Sequence, residues 1–146
     1  MPATQPQDET VPYVLDDQVG FILRQVQQRH AVIFTSRFGS DITPTQWAVI
    51  AKLAEVGEVS QNLLGRHTAM DVATIKGVVE RLVRRGFLQT IPDVTDRRRL
   101  TISLSDAGRA AYAEHLAHAF AVTEETLEPL TADERRALLA TLEKLR

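Results

Sequence analysis

Asp96, Arg97, Arg98 and Arg99 stand in succession. Guanidinium groups bind phosphate through planar, paired donors. Three of them on a loop suit the minor groove of DNA, whose negative potential attracts arginine. Asp96 opposes that chemistry by its charge, unless its carboxylate orients a neighbouring arginine through paired hydrogen bonds. The other reading is a solvated turn with chance charge. Upstream, Lys76, Arg81 and Arg84 recur at helical spacing with Thr74 among them. A helix with that face reads base edges from its early turns and grips phosphates from its later ones. Ala73, Thr74, Lys76, Gly77, Arg81 and Arg84 are therefore the candidates for contact, with the wing residues Asp96, Arg97, Arg98 and Arg99. Glycine inside a helix costs about 1 kcal/mol relative to alanine. Gly77 either admits close approach of a base or phosphate, or is a tolerated glycine without function.

The charge distribution supports this chemistry where the total does not. The net charge of the 146-residue chain is −2. Positions 59–100 hold eight basic residues (Arg66, Lys76, Arg81, Arg84, Arg85, Arg97, Arg98 and Arg99) against four acidic ones (Asp71, Glu80, Asp93 and Asp96), a balance of +4. A basic middle between acidic ends is the asymmetry expected of a nucleic-acid binder.

Other chemistries find little support. The chain has no cysteine, which removes disulfides, thiolate metal sites, a cysteine nucleophile and a cysteine redox switch. His67, His115, His118 and Glu114 would be the only plausible metal donors, and no metal site or cofactor is expected of them. There is no Ser-His-Asp spacing, no glycine-rich phosphate loop and no HExxH, so the chain is not expected to be an enzyme. No apolar run approaches the roughly 18 residues of a membrane span. The opening MPATQPQDETVPY is polar and proline-containing, unlike a signal peptide, and a cytoplasmic location is expected. At 44% hydrophobic and 25% charged residues, a packed core is expected rather than disorder.

The elements that must position these residues can be placed by period and capping. Leu15, Val19, Ile22, Leu23, Val26, His30 and Ile33 recur at three and four, one face of a helix over 15–37. Thr43-Pro44-Thr45-Gln46 is a capping box opening a second helix, which Gly57 stops. Ser60 caps a short third helix through Arg66. Asp71 caps a fourth, whose buried stripe is Ile75, Val78, Val79 and Leu82 and whose end is marked by Gly86. Residues 87–91 read as a strand, Pro92-Asp93-Val94-Thr95-Asp96 as turn chemistry, and Leu100, Ile102 and Leu104 alternate as a second strand. Ser105 caps a long fifth helix with Tyr112, Leu116, Phe120 and Leu127 near one face. Thr131-Ala132-Asp133-Glu134 opens a last helix with Leu138, Leu142 and Leu145 on one stripe. The expected fold is mainly α with a small β-hairpin: a winged helix-turn-helix between N- and C-terminal helices. Its divisions are a flexible arm over 1–13, a terminal helix over 14–42, the winged helix-turn-helix over 43–104, and terminal helices over 105–146.

At these residues the sequence resembles the MarR family of bacterial transcription regulators. Met70-Asp71-Val72-Ala73-Thr74-Ile75 is similar to the start of the family's recognition helix. Glu80-Arg81-Leu82-Val83-Arg84-Arg85-Gly86-Phe87-Leu88 is similar to its end and the strand that follows. Asp93 to Arg98, followed by Leu104-Ser105-Asp106-Ala107-Gly108, fits the wing signature of Asp-x-Arg and then Leu-(Thr/Ser)-x-x-Gly. The resemblance implies a homodimer built by the terminal helices, with one winged helix per subunit. It gives Asp96 the role of the wing aspartate and Arg98 that of the arginine entering the minor groove. The sequence departs from the family where arginine often replaces Gly77 and a small polar residue often replaces Lys76.

The resemblance also implies a small aromatic or anionic effector, held between the dimerisation helices and the winged helix. The residues available for it are Trp47, Phe34 and Phe38 for the ring, and Arg29, His30 and Arg37 for a carboxylate. His30 and the three aromatics read equally as core. Apolar stripes on the terminal helices independently favour pairing of two copies, which would set two reading helices ~34–36 Å apart on a near-palindromic site. The expected function is a homodimeric regulator of transcription on double-stranded DNA, a repressor released by the effector. The alternative is a winged-helix protein-interaction module without sequence-specific DNA binding.

Overall fold

A computed structural model of the chain describes residues 10–146. Positions 1–9 of the expected arm lie outside the described residues, and Thr10 to Tyr13 are exposed without regular structure. The elements run α1 (Val19–Phe38), α2 (Pro44–Val56), β1 (Val59–Ser60), α3 (Gln61–His67), α4 (Val72–Arg84), β2 (Leu88–Pro92), β3 (Leu100–Leu104), α5 (Asp106–Leu127) and α6 (Ala132–Glu143). The chain is a winged helix-turn-helix with long helices at both ends.

Local chemistry explains most of the boundaries. The Thr43 hydroxyl accepts the Gln46 amide, while the Gln46 carboxamide accepts the Thr43 amide, so the capping box is closed both ways. Thr131 and Glu134 do the same at α6. Ser60, Asp71 and Ser105 each accept the amide three residues on, at 3.3, 2.7 and 3.1 Å. These caps satisfy backbone donors that a helix start otherwise leaves open. At the end of α4, Gly86 takes φ +80°. Its amide donates to Val83 and that of Phe87 to Leu82, the paired closure that favours glycine. Gly108 is required for a different reason: a Cβ there would lie 2.0 Å from the Phe87 carbonyl oxygen. The first turn of α5 thus lies directly against the root of the hairpin.

The core belongs mostly to the winged helix. Val49, Ile50 and Leu53 of α2, Leu64 of α3, Ile75, Val78, Val79 and Leu82 of α4, and Leu88, Ile102 and Leu104 of the sheet form one buried cluster. Each such side chain stabilises by about 1.5–3 kcal/mol when fully buried. Ile33, Phe34 and Phe38 from the end of α1 and Val122 from α5 join it. The reading helix is therefore held on its inner face by three elements. The joint between α3 and α4 places Ala69 at φ 55°, a left-handed backbone that costs a non-glycine residue roughly 1 kcal/mol or more.

As the sequence leads one to expect, the outer stripe of α1 stays uncovered within the chain: Val19 is 67% exposed, and Ile22, Leu23 and Val26 are also exposed. Three expectations require correction. The first helix does not begin at Leu15: Leu15–Asp17 form a 3-10 turn, and Gln18 is extended with φ −88° and ψ 133° before α1 starts. A third strand exists: β1 pairs antiparallel with β3 (Val59 opposite Ile102, Ser60 opposite Thr101), giving the order β1-β3-β2. On α5 the buried side is Ala111, His115 and Val122, whereas Phe120 is 67% exposed. α1 packs along α5, and that contact selects which side of α5 turns inward.

Candidate nucleic-acid interface and effector region

The reading helix separates its two faces cleanly. Ile75, Val78, Val79 and Leu82 are buried, while Ala73, Thr74, Lys76, Glu80, Arg81 and Arg84 are exposed. Gly77 is half-buried because the Arg81 guanidinium folds back over it, 3.6–3.9 Å from where a Cβ would stand. That separation is ordinary contact, so no steric demand for glycine exists here. At the head of the helix, the Asp71 carboxylate accepts the Thr74 amide at 2.7 Å. That bond from the Thr74 backbone is the main reason its pKa lies below the ordinary 3.8.

The wing is a hairpin in register from Leu88–Leu104 to Pro92–Leu100. Its tip is ordered by two aspartates. The Asp93 carboxylate accepts the Thr95 amide and hydroxyl, both at 2.9 Å, and these bonds hold its pKa below the ordinary value. The Asp93 amide donates to the Arg99 carbonyl at 2.9 Å. Asp96 departs from the role expected of it. Its carboxylate accepts the backbone amide of Arg98 at 3.0 Å and stands 3.9 Å from the Arg99 Nε. A short carboxylate reaches the amide two residues on more readily than it can pair with an extending guanidinium. Asp96 thus shapes the backbone that presents the arginines. Arg97, Arg98 and Arg99 are all exposed.

The six residues considered for an effector fall into two groups. Arg29 donates to the Thr126 and Glu125 carbonyls at 2.7 and 2.9 Å, capping the end of α5. His30 Nδ1 bonds the Thr126 hydroxyl at 2.9 Å, and Arg37 pairs with Glu125 at 2.9 Å. These three tie α1 to α5. The aromatic three enter a stacked cluster instead. Phe34 and Phe38 lie 4.1 Å apart with rings near parallel, and Trp47 is 5.2 Å from Phe38. Tyr112 stacks on Trp47 at 5.5 Å, and His115 on Phe38 at 5.5 Å, with His118 at 6.2 Å. His115 Nδ1 also bonds the Ala111 carbonyl at 2.9 Å. Beside Tyr112, between Leu53, Leu104, Gln89 and Arg109, opens a cavity of about 420 Å3.

One residue joins this region to the reading helix. The Arg85 guanidinium donates to the Asp41 carbonyl and, at 3.3 Å, to the Gln46 carboxamide, and lies 4.7 Å over the Phe87 ring. It therefore fastens the end of α4 to the α1–α2 connection, one position from Trp47.

A sequence profile of the MarR family matches residues 40–99. The transcriptional repressor NicR of Pseudomonas putida is 37% identical over 99% of this chain and 91% of its own length. The chain belongs to the MarR family. Among solved structures, a probable transcriptional regulator from Pseudomonas aeruginosa is similar at 51% identity and a TM-score of 0.88, covering 91% of this chain and 100% of that one. BpsR of Bordetella bronchiseptica, whose DNA binding is regulated by 6-hydroxynicotinic acid, is similar at 36% identity and a TM-score of 0.90 over 92% of this chain and 97% of its own. This MarR-family protein is thus a transcription regulator with a DNA-binding winged helix.

In this regulator the outward face of α4 and the exposed arginine tip are legible from spacing. Sequence reasoning misses Tyr112, His115 and His118 as neighbours of Trp47 and Phe38. Their spacing of three along α5 is the available signal, but the two histidines suggest only metal. Arg85 reads from spacing as a helix-end cation. Its partners lie 44 and 39 residues away and leave no local mark.

Proposed function

We propose that this protein is a homodimeric repressor that leaves a near-palindromic operator when a small hydroxylated aromatic carboxylate binds. The observation that carries the reading is the pairing of two exposed basic elements on one buried scaffold: the outer face of α4 and the tip of the wing. Ala73, Thr74 and Lys76 meet base edges, with Gly77 beside them. Arg81 and Arg84 meet phosphates, and Arg98 enters the minor groove with Arg97 and Arg99 flanking it. Asp96 holds the backbone that presents them. The region over 43–104 is the DNA-binding unit. The regions 14–42 and 105–146 form the dimer through the exposed α1 stripe, through Leu138 and Leu142 of α6, where no residue is buried within one chain, and through Leu145 just beyond it. The protein acts in the cytoplasm, on DNA, without catalysis, metal or cofactor.

The repressor reading is supported by NicR, a repressor, and the effector class by BpsR, whose DNA binding is regulated by 6-hydroxynicotinic acid. The Trp47, Phe38 and Phe34 rings would supply stacking surface, and a carboxylate would compete with Thr126 and Glu125 for Arg29, His30 and Arg37. A coupling of about 1–3 kcal/mol would lower DNA affinity roughly 5- to 150-fold. Mobility-shift titration against salt, with footprinting of upstream DNA, tests the reading. A steep negative salt slope and a symmetric protected site are expected. A slope near zero without a protected palindrome overturns it. Arg98→Glu separates this function from that of a protein-interaction module: it abolishes DNA binding in the first case and leaves partner binding intact in the second.

A further inference from the structure

A cleft of about 310 Å3 lies between α3 and the tip-side end of the wing. Arg66 of α3 lines it together with Arg98 and Arg99 of the hairpin, and Asn62, Gln61 and Ser60 complete the polar wall. No acidic residue is among those that line it. The short β1–β3 pairing builds the cleft, since Ser60 opposite Thr101 places the start of α3 beside Leu100. Among the described residues, no carboxylate forms an ion pair with Arg66 or Arg98, and Arg99 reaches Asp96 only at 3.9 Å.

Guanidiniums from two distant segments that face one space repel each other when it holds only water, and attract an anion jointly. The polar amides beside them add donors of the kind that bind phosphate oxygens. We infer that this cleft seats a backbone phosphate of the bound duplex, with Arg66 as an anchor outside both the reading helix and the wing tip. The inference rests on the proposed DNA-binding function and deepens it. Arg97 does not line the cleft and Arg98 is the residue assigned to the minor groove, so Arg66 and Arg99 are the pair that holds the phosphate. The DNA strand beside the wing is then gripped by α3 as well as by the wing tip.

The chemistry recognised is a phosphate oxyanion, and a free phosphate could supply it as well as DNA. The test uses the full-length chain, an operator duplex and an unrelated duplex, in anisotropy titrations from about 50 to about 200 mM salt. Arg66→Gln is expected to weaken both duplexes by a similar factor, of order tenfold, and to reduce the magnitude of the salt slope by about one per protomer. Arg99→Gln is expected to act in the same direction, while Arg66→Lys preserves the slope. Wild-type affinity and slope in both Arg66→Gln and Arg99→Gln overturn the inference, as does a loss confined to the operator. Inorganic phosphate at matched ionic strength distinguishes the sources. A melting shift with phosphate in the unsubstituted chain that Arg66→Gln abolishes, with the DNA slope unchanged in that variant, makes the cleft a free-anion site and overturns its assignment to DNA. If the unsubstituted chain itself shows no salt-dependent DNA binding, the proposed function fails first, which is a separate result.

Discussion

The winged helix and the terminal helices solve the burial problem differently. In the winged helix, α2, α3, α4 and the sheet face one another, and Ile50, Leu64, Leu82 and Ile102 are almost completely enclosed. In the terminal helices, the apolar stripe of α1 from Val19 to Val26 and the leucines of α6 stay open to solvent. The first region contains within one chain everything its fold requires. The second leaves Val19, Ile22, Leu23 and Val26 of α1 and Leu138, Leu139 and Leu142 of α6 exposed, and in the proposed dimer a second copy would cover them. One region carries the chemistry, and in the proposed dimer the other would set the distance between two copies of it.

The largest expected effect tests that division from the side of the terminal helices. Leu23→Asp buries an unpaired carboxylate twice in a symmetric pair, at a cost of about 3–5 kcal/mol each. Light scattering should show folded monomers with DNA affinity sharply reduced, and an unchanged mass would remove α1 from the interface. On the other side, Leu82→Ala should cost about 2–5 kcal/mol. A chemical denaturation curve should report this without a change in subunit mass at low denaturant. A smaller effect is expected at Gly77. Alanine there should stabilise the helix by about 1 kcal/mol, because the added methyl meets only the Arg81 guanidinium. If melting rises while DNA affinity falls, close approach to the duplex is the reason for the glycine. If both hold or improve, the glycine has no contact role.

The smallest effect concerns acid. The Asp71 and Asp93 carboxylates lie below their ordinary 3.8, and Glu134 below 4.5, each held there chiefly by a backbone amide. A depressed carboxylate contributes stability that is complete above its ordinary value and is lost as pH falls through the lowered one. Carboxyl NMR titrations should therefore show the midpoints of Asp71, Asp93 and Glu134 each below its ordinary value, with the starts of α4 and α6 and the wing tip loosening as pH falls through them. Asp71→Asn keeps a cap at α4 and should remove its pH dependence while leaving that of α6 in place.

Legibility in the sequence follows range of interaction. The strand over Leu100–Leu104 is legible with its observed limits, because alternation with a turn before it is a local signal. The caps at Thr43, Asp71, Ser105 and Thr131 are legible because each bond closes within three residues. β1 is not, since two residues have no period and their partners are Ile102 and Thr101. The face of α5 escapes sequence reasoning for a related reason. Phe120 is more apolar than His115, yet His115 lies against Phe38 and Phe120 lies outward.

The sequence by itself determined the order of the helices and the hairpin, the outer face of the reading helix and the exposed run of arginines, all of which depend on periods and caps spanning a few residues. The tertiary structure alone decided that Arg29 and Arg37 grip the end of α5, that Arg85 reaches the α1–α2 connection, and that Arg66 meets the wing across a cleft. Those partners are distant in the chain, and only the packing of helices against the sheet, driven by burial of apolar surface, brings their charged ends within reach.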